Sequence, residues 1–474
     1  MKRFIYILII LTSFGCTKDF RETNTNPNFP VDVVPSLLLR KVIYNYGEAM
    51  SYEGFVAGNL LSQQLTALDF NLFDRHALKS PQLGGNPWAI FYTNLRDNEI
   101  ILNKARQESI FSVYEGPALI FKAYMTMALT DLFGDVPYSE AFSGDQQTVT
   151  PKYDKQQSIY LDEGGILDNL RKGIIAIQNY AGSLPLEGDV LYNGNLSNWI
   201  KFANSLLIKA LLRISSKQDV SSALQAIVSD GNYISINNEN AVFQFTDSEP
   251  NSFRMARLRT GDFNNFVLSE TLEDVLVNLN DPRIEILFRP FGNSINEYNG
   301  LINGIDASQT TISLGDYSLA GTIFREETGK LKINYMTHWE TKFLLAEAAL
   351  KGLIIDDAGL LYNTAVKSAF DYWGVSLPDD YLTEVAVYRE DIALEQIITQ
   401  KWIANFINGY EGWIEYRRTG FPKLKPVSAS LNNGLIPIRM PYPAEENTLN
   451  STNYAIAAEV TDNNSINAKV WWGR

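Results

Sequence analysis

Apolar residues recur along this chain at alternating steps of four and three, the spacing that lines side chains along one face of an α-helix. Trp199, Ala203, Leu206 and Ala210 follow it, as do Phe121, Met125, Ala128 and Leu132. Trp339, Phe343, Ala346 and Leu350 repeat it, and after a break so do Tyr362, Val366, Ala369 and Trp373. Each stripe sets bulky aromatics beside Ala, which lets two helices approach closely and predicts helical hairpins of the tetratricopeptide type. The starts at 121, 199 and 339 share no fixed period, so helix pairs interrupted by insertions are expected rather than a tandem solenoid.

Two stretches lose this periodicity. Residues 231–265 and 289–330 are rich in Gly, Asn, Ser and Thr, with isolated aromatics and short β-branched runs such as TTIS at 310–313. They are expected to form loops and short hairpins on the helical frame, where binding residues concentrate. A last long helix is expected from about Arg389 to Gly420, with Pro422 as a stop signal. The Pro- and Asn-rich residues 423–474 are expected to wrap the surface.

At the N-terminus, MKRFIYILIILTSFGC sets Lys2 and Arg3 before an apolar run and then small and polar residues, the pattern of a secretory signal peptide. The run falls well short of the ~20 residues a membrane-spanning helix needs. Cys16, the only cysteine, stands where the signal would be cut, a position that resembles the bacterial lipobox with its lipidated Cys. A stray Cys in an ordinary signal peptide is the competing reading. Phe14 replaces the usual small residue, whereas an exported chain otherwise free of Cys favours the lipobox. The expected organisation is a signal peptide at 1–15, a Pro/Asn-rich tether at 16–36 carrying the lipid on Cys16, and one domain at 37–474.

Composition narrows the chemistry. The chain has 474 residues, a formal charge of −14 and pI near 4.8, so the counterion release that drives nonspecific nucleic-acid binding has little to act on. Loss of Lys2 and Arg3 with the signal takes the charge from −14 to −16. One Cys builds neither a disulfide nor a thiolate metal site, and His76 and His338 act together only if the fold joins them. No dinucleotide loop, phosphate loop, zinc-protease motif or serine-hydrolase elbow occurs. A glycosidase carboxylate pair, ~5 to 10 Å apart, leaves no sequence signature and stays open. Arg254, Arg257 and Arg259 form a basic cluster that either meets a carboxylate ligand or closes internal salt bridges.

The 8 Trp, 24 Tyr and 25 Phe are the remaining unusual feature. Sugars present apolar C–H faces and polar rims, which suit flat aromatic rings beside Asn, Asp and Arg. Most of these rings belong to the core. Candidate ligand platforms are Phe70, Phe73 and Arg75 in an early loop, and Tyr298, Tyr317 and Phe324 in the insertions.

A series of motifs then resembles the SusD/RagB family, more narrowly its SusD-like branch. It runs from the lipobox with TKDF and the NPN of the tether through GDVPYSEAF at 134–142, PKYD at 151–154 and LSNWIKFANSLLIKALLRI at 196–214. It continues with NDPR at 280–283, HWETKFLLAEAAL at 338–350, EGWIEYRRTGFP at 411–422, IPIRMPYP at 436–443 and KVWW at 469–472. Gly134 with Pro137, and Asp281 with Pro282, read as chain turns after helices. Trp413 and Tyr416 read as the inner face of the last helix, and Arg417 and Arg418 as internal hydrogen-bond donors.

The resemblance implies a monomeric, mostly α fold of four tetratricopeptide-like helix pairs against an irregular, loop-rich region with a few short strands. It implies an outer-membrane lipoprotein facing outward. Such a protein forms a lid on a SusC-like TonB-dependent transporter, capturing oligosaccharides, or in some members peptides, without catalysis or cofactor. A secreted glycoside hydrolase and a purely structural subunit are the competing readings.

Overall fold

The protein is described by a computed structural model covering residues 33–142, 148–309 and 311–473. The signal segment, Cys16 and most of the tether lie outside these residues. The first helix, α1 (Pro35–Glu53), begins inside the tether's expected bounds, because Pro35 at its first position is preset for helical φ and gives up a donor that would go unused there.

Four helix pairs make the frame. They are α2 (Trp88–Gln107) with α3 (Glu115–Phe133), α4 (Ile166–Gln178) with α5 (Leu196–Ile214), α6 (His338–Leu350) with α7 (Ala358–Trp373), and α8 (Ala393–Ala404) with α9 (Glu411–Thr419). Local chemistry sets their limits. Asn195, Thr337 and Asp357 cap α5, α6 and α7 by accepting backbone N–H bonds, and Gly374 and Gly420 end α7 and α9 in the left-handed conformation. Glycine also sets the approach of α3 to α4: a Cβ on Gly173 would lie 2.8 Å from Ile120 Cγ1 and 3.0 Å from the Gly116 carbonyl. All four periodic stripes face inward, with Trp199, Phe121, Trp339 and Phe343 each fully buried.

The expected helix from Arg389 to Gly420 is instead α8 and α9. Ile407 and Gly409 adopt positive φ (62° and 52°), and the turn exists because this loop packs on a π-helical turn at Gly54–Gly58. A Cβ on Gly58 would lie 2.0 Å from the Gly409 carbonyl. Residues 423–474 do more than wrap the surface. The Trp472 ring is 1% exposed and donates to Asp131 Oδ1 at 2.7 Å.

Between the second and third pairs, residues 215–337 build the loop-rich side. Among the described residues six short strands form three antiparallel two-stranded sheets: β1 (Leu65–Ala67) with β5 (Phe266–Leu268), β2 (Val136–Pro137) with β3 (Tyr153–Asp154), and β4 (Ala241–Gln244) with β6 (Lys332–Met336). The insertions close no hairpin of their own among the described residues. Their strands pair with partners outside them, and residues 311–313 are not strand.

Where the frame's pairs meet, charge is buried. Arg213 on α5 reaches Asp131, Glu411 and Glu415 at 3.2, 2.7 and 2.7 Å. Lys209 reaches Glu340 and Glu411, Lys401 reaches Glu415, and Arg418 bridges Glu347 and Glu415. Arg417 donates to the Asp131 carbonyl. Burial pushes the Glu411 carboxyl up, but Arg213, Lys209 and Lys401 overcome it and hold it down at about 2. Arg417 and Arg418 are thus internal donors. The other basic cluster also closes on the chain itself: Arg254 lies over the Tyr52 ring, Arg257 pairs with Glu48 and Arg259 with Asp262.

Candidate functional site

The pairing of β1 with β5 decides where the binding loops meet. Leu65 faces Leu268 and Ala67 faces Phe266, so the early loop leaves β1 where Asn264 and Asn265 enter β5. Leu68 N–H donates to the Asn265 carbonyl (2.9 Å). The Asn265 side chain then accepts from Asp69 N–H at 2.8 Å and donates to the Asp69 carbonyl at 2.9 Å. This amide clamp holds two distant segments side by side.

A third wall is tied on from beneath. Asp74 is fully enclosed and accepts from Thr66 Oγ1 (2.8 Å), Asn303 Nδ2 (2.7 Å), Gly304 N–H (2.8 Å) and, more weakly, Ala67 N–H (3.3 Å). Burial without a cationic partner pushes its carboxyl up to about 6 despite these donors. Asn71 donates to the Ile305 carbonyl, and Arg75 donates to the Ala429 carbonyl at 2.9 Å while facing Asp306 at 3.7 Å.

The result is an open groove of about 650 Å³, within the range of small-ligand sites. Leu68, Ile312 and Leu314 make its apolar floor, and Asp69, Asn264, Asn265 and Ser308 its polar edge. Phe70 follows directly, 61% exposed. Its positive φ of 48° is held by its own N–H on Asp69 Oδ1 at 2.7 Å. Glycoside hydrolysis uses two carboxylates, whereas the lining supplies one, Asp69.

The six candidates fall into three groups. Phe70 adjoins the groove, Arg75 braces its wall, and Tyr317 packs half-buried in the small cluster beneath it with Leu68 and Ile312. Phe73 and Phe324 are corrected to core residues, 3% and 0% exposed, with no ring face for a ligand. Phe73 lies under Gly85, and Phe324 packs on Phe55 and Phe406. Tyr298 packs against the main core, away from the groove lining. Asp69, Asn264 and Asn265 went unnoticed in the sequence, although the Asn264-Asn265 pair inside a polar insertion was a usable signal.

His76 and His338 serve separate places: His76 faces the Leu435 carbonyl, and His338 starts α6. Among the described residues no group of three or more His, Cys, Asp or Glu is arranged to hold a metal ion, and no helix is long and apolar enough to cross a membrane.

Four helix pairs carrying a groove of loops define a binding protein of the helical-scaffold class. The family model described as "Starch-binding associating with outer membrane", SusD-like, matches residues 27–443, and the chain belongs to this family. Its members are binding proteins rather than enzymes, and the family is one of nutrient and glycan binding at the outer membrane. A solved chitin-binding protein is similar at 25% identity, covering 93% of this chain and 100% of its own, with a TM-score of 0.80. A SusD homologue from Bacteroides fragilis has the same coverage and TM-score at 22% identity. A chitin-binding SusD homologue from Flavobacterium johnsoniae covers 92% of this chain and 98% of its own, at 23% identity and TM-score 0.76. No curated protein matches the sequence.

Proposed function

We propose that this chain is a surface glycan-binding lipoprotein, anchored through Cys16 and facing outward. In this reading it captures oligosaccharides in the groove and delivers them to a SusC-like TonB-dependent transporter without hydrolysing them. Residues 1–15 are the leader, 16–36 the tether, and 37–474 one binding domain. The observation that carries the reading is the groove itself: an exposed ring at Phe70 and an amide-rich edge, built on a scaffold whose family is described as starch-binding. Ring faces stack on sugar C–H faces while amides bond hydroxyls.

Titration of the mature protein with maltohexaose and chitohexaose, the latter chosen because similar structures bind chitin, tests it. Binding of one probe without released products is expected. Phe70→Ala should weaken it roughly two- to tenfold, as a lost aromatic contact of about 0.5–1.5 kcal/mol implies, and leave stability within about 0.5 kcal/mol. Product release, or affinity untouched by the Phe70 change, would overturn this assignment. Binding of peptides in place of both sugars would assign the groove to peptide capture.

A further inference from the structure

The early loop serves a second concavity. After Phe73 the chain passes Leu78 and turns through Pro81 and Gly85 to Asn86, where it meets the C-terminal segment at Tyr442, Pro443 and Tyr454. They enclose a recess of about 260 Å³. It shares no lining residue with the groove.

Its walls are fixed from behind. Tyr442 N–H donates to Asn464 Oδ1 at 2.8 Å and its hydroxyl to the Asp135 carbonyl at 2.7 Å. Gly85 N–H donates to Glu53 Oε2 at 2.8 Å. Gly85 has φ 96°, and a Cβ there would lie 2.3 Å from the Phe73 ring. Phe73 therefore supports the recess wall from inside the core. A site whose walls are already held gains affinity because little is left to order on binding.

The rim, by contrast, is uncommitted. Lys79, Asn86 and Glu445 are exposed and make no side-chain hydrogen bond or ion pair with another described residue. The Tyr454 hydroxyl accepts from Asn464 at 3.3 Å, which leaves its own proton free to donate. An ammonium, an amide, a carboxylate and a phenol thus border a surface of tyrosine and proline rings. Rings below and mixed donors and acceptors around them suit a pyranose, whose C–H face is apolar and whose hydroxyls both donate and accept. The volume lies below the ~300–1,000 Å³ of drug-sized sites and matches one sugar ring rather than a stretch of chain.

We propose that this recess is a second glycan-contact site taking a single sugar residue. The 68–86 loop lines both sites, and the proposal has a long oligosaccharide engage groove and recess together. The inference rests on the glycan reading above, and the test separates the two. Lys79→Ala/Asn86→Ala/Glu445→Gln alters only exposed side chains. Losing these hydrogen bonds should weaken the better-bound hexasaccharide of the preceding test roughly two- to tenfold, and weaken its disaccharide less. Crystals soaked with the hexasaccharide should show sugar in the recess. Wild-type affinity in the triple variant, with sugar confined to the groove, overturns the recess and leaves the glycan reading standing. Failure of wild-type protein to bind either probe overturns both.

Discussion

Where the helix pairs meet, Arg213 faces the carboxylates of Asp131, Glu411 and Glu415, and every group involved is buried. Beneath the groove, the equally buried Asp74 faces only neutral donors, two of them side chains and two backbone amides. The contrast shows how one chain combines a specific frame with a variable surface. Buried charges tolerate only their own partners, so each helix of the junction constrains the identity of the others. A carboxyl hub met only by neutral donors, two of them backbone N–H groups, holds its loops whatever their outward side chains are. Recognition residues such as Phe70 and Asn264 sit on the second kind of support.

The largest expected effect therefore lies in the frame. Arg213→Ala takes a cation from three buried carboxylates, leaves Asp131 without an ion-pair partner among the described residues, and removes the guanidinium from over the Trp472 ring. The expected loss is about 3–5 kcal/mol, the range for breaking a buried ion pair by deleting one partner. Urea unfolding gives the value. A loss under about 1 kcal/mol would mean that the junction rearranges and that its charges are not specific.

Asp74→Ala should cost less, about 1–3 kcal/mol, because only neutral donors are left unpaired. Its signature is local. With Asn303 and Gly304 released, the wall at 303–308 loosens and glycan affinity falls, whereas Arg213→Ala at a temperature where it stays folded leaves affinity unchanged. Equal loss of affinity in both variants would show that frame and loops act as one unit.

The frame was legible because its rule is periodic. Trp199, Phe343 and Trp373 stand in stripes whose spacing alone puts them inside. The ion network was not: Lys209, Arg213, Glu411 and Glu415 look like ordinary helix-surface residues until four helices close over them. Periodicity also carried the apolar pattern through Phe406 and Ile407, which hid the break that Asn408-Gly409 signals. In the loops no period exists. Nothing in the sequence around Phe70 and Phe73 says which ring faces out, since that follows from the positive φ at Phe70 and from the bare wall at Gly85. The groove itself depends on a strand pairing between residues about two hundred positions apart, which turn composition does not reveal.

The smallest expected effect is titration, and it also separates the regions. Burial holds both histidines neutral down to about 4 in the folded protein, against an ordinary 6.5; at His338 the Lys342 charge adds to the shift. Below 6.5 the unfolded chain takes up protons that the folded chain refuses, so stability falls as pH drops from about 6.5 toward 4. Asp74 works in the opposite direction. Its folded value near 6, against 3.8, means that the folded state binds the proton first, and stability rises as pH falls through the same window. Glu411, held at about 2, keeps the frame's network ionised throughout, and its share is lost only below about 4.5. The two histidines against Asp74 leave a net loss of about 2–2.5 kcal/mol between pH 7 and pH 5, read as a lower urea midpoint and offset in part by Glu48, Glu53, Asp131, Asp135 and Glu273, whose carboxyls burial also raises. The loop region carries His76 and Asp74 and nearly compensates itself, whereas in the frame His338 is opposed by Asp131, whose carboxyl burial also raises. His338→Gln should therefore remove most of the acid sensitivity. In His76→Gln/His338→Gln the carboxyls that burial raises remain, Asp74 with Glu48, Glu53, Asp131, Asp135 and Glu273, and the midpoint should rise between pH 6 and pH 5. A midpoint that still falls there would mean that burial does not raise these carboxyls.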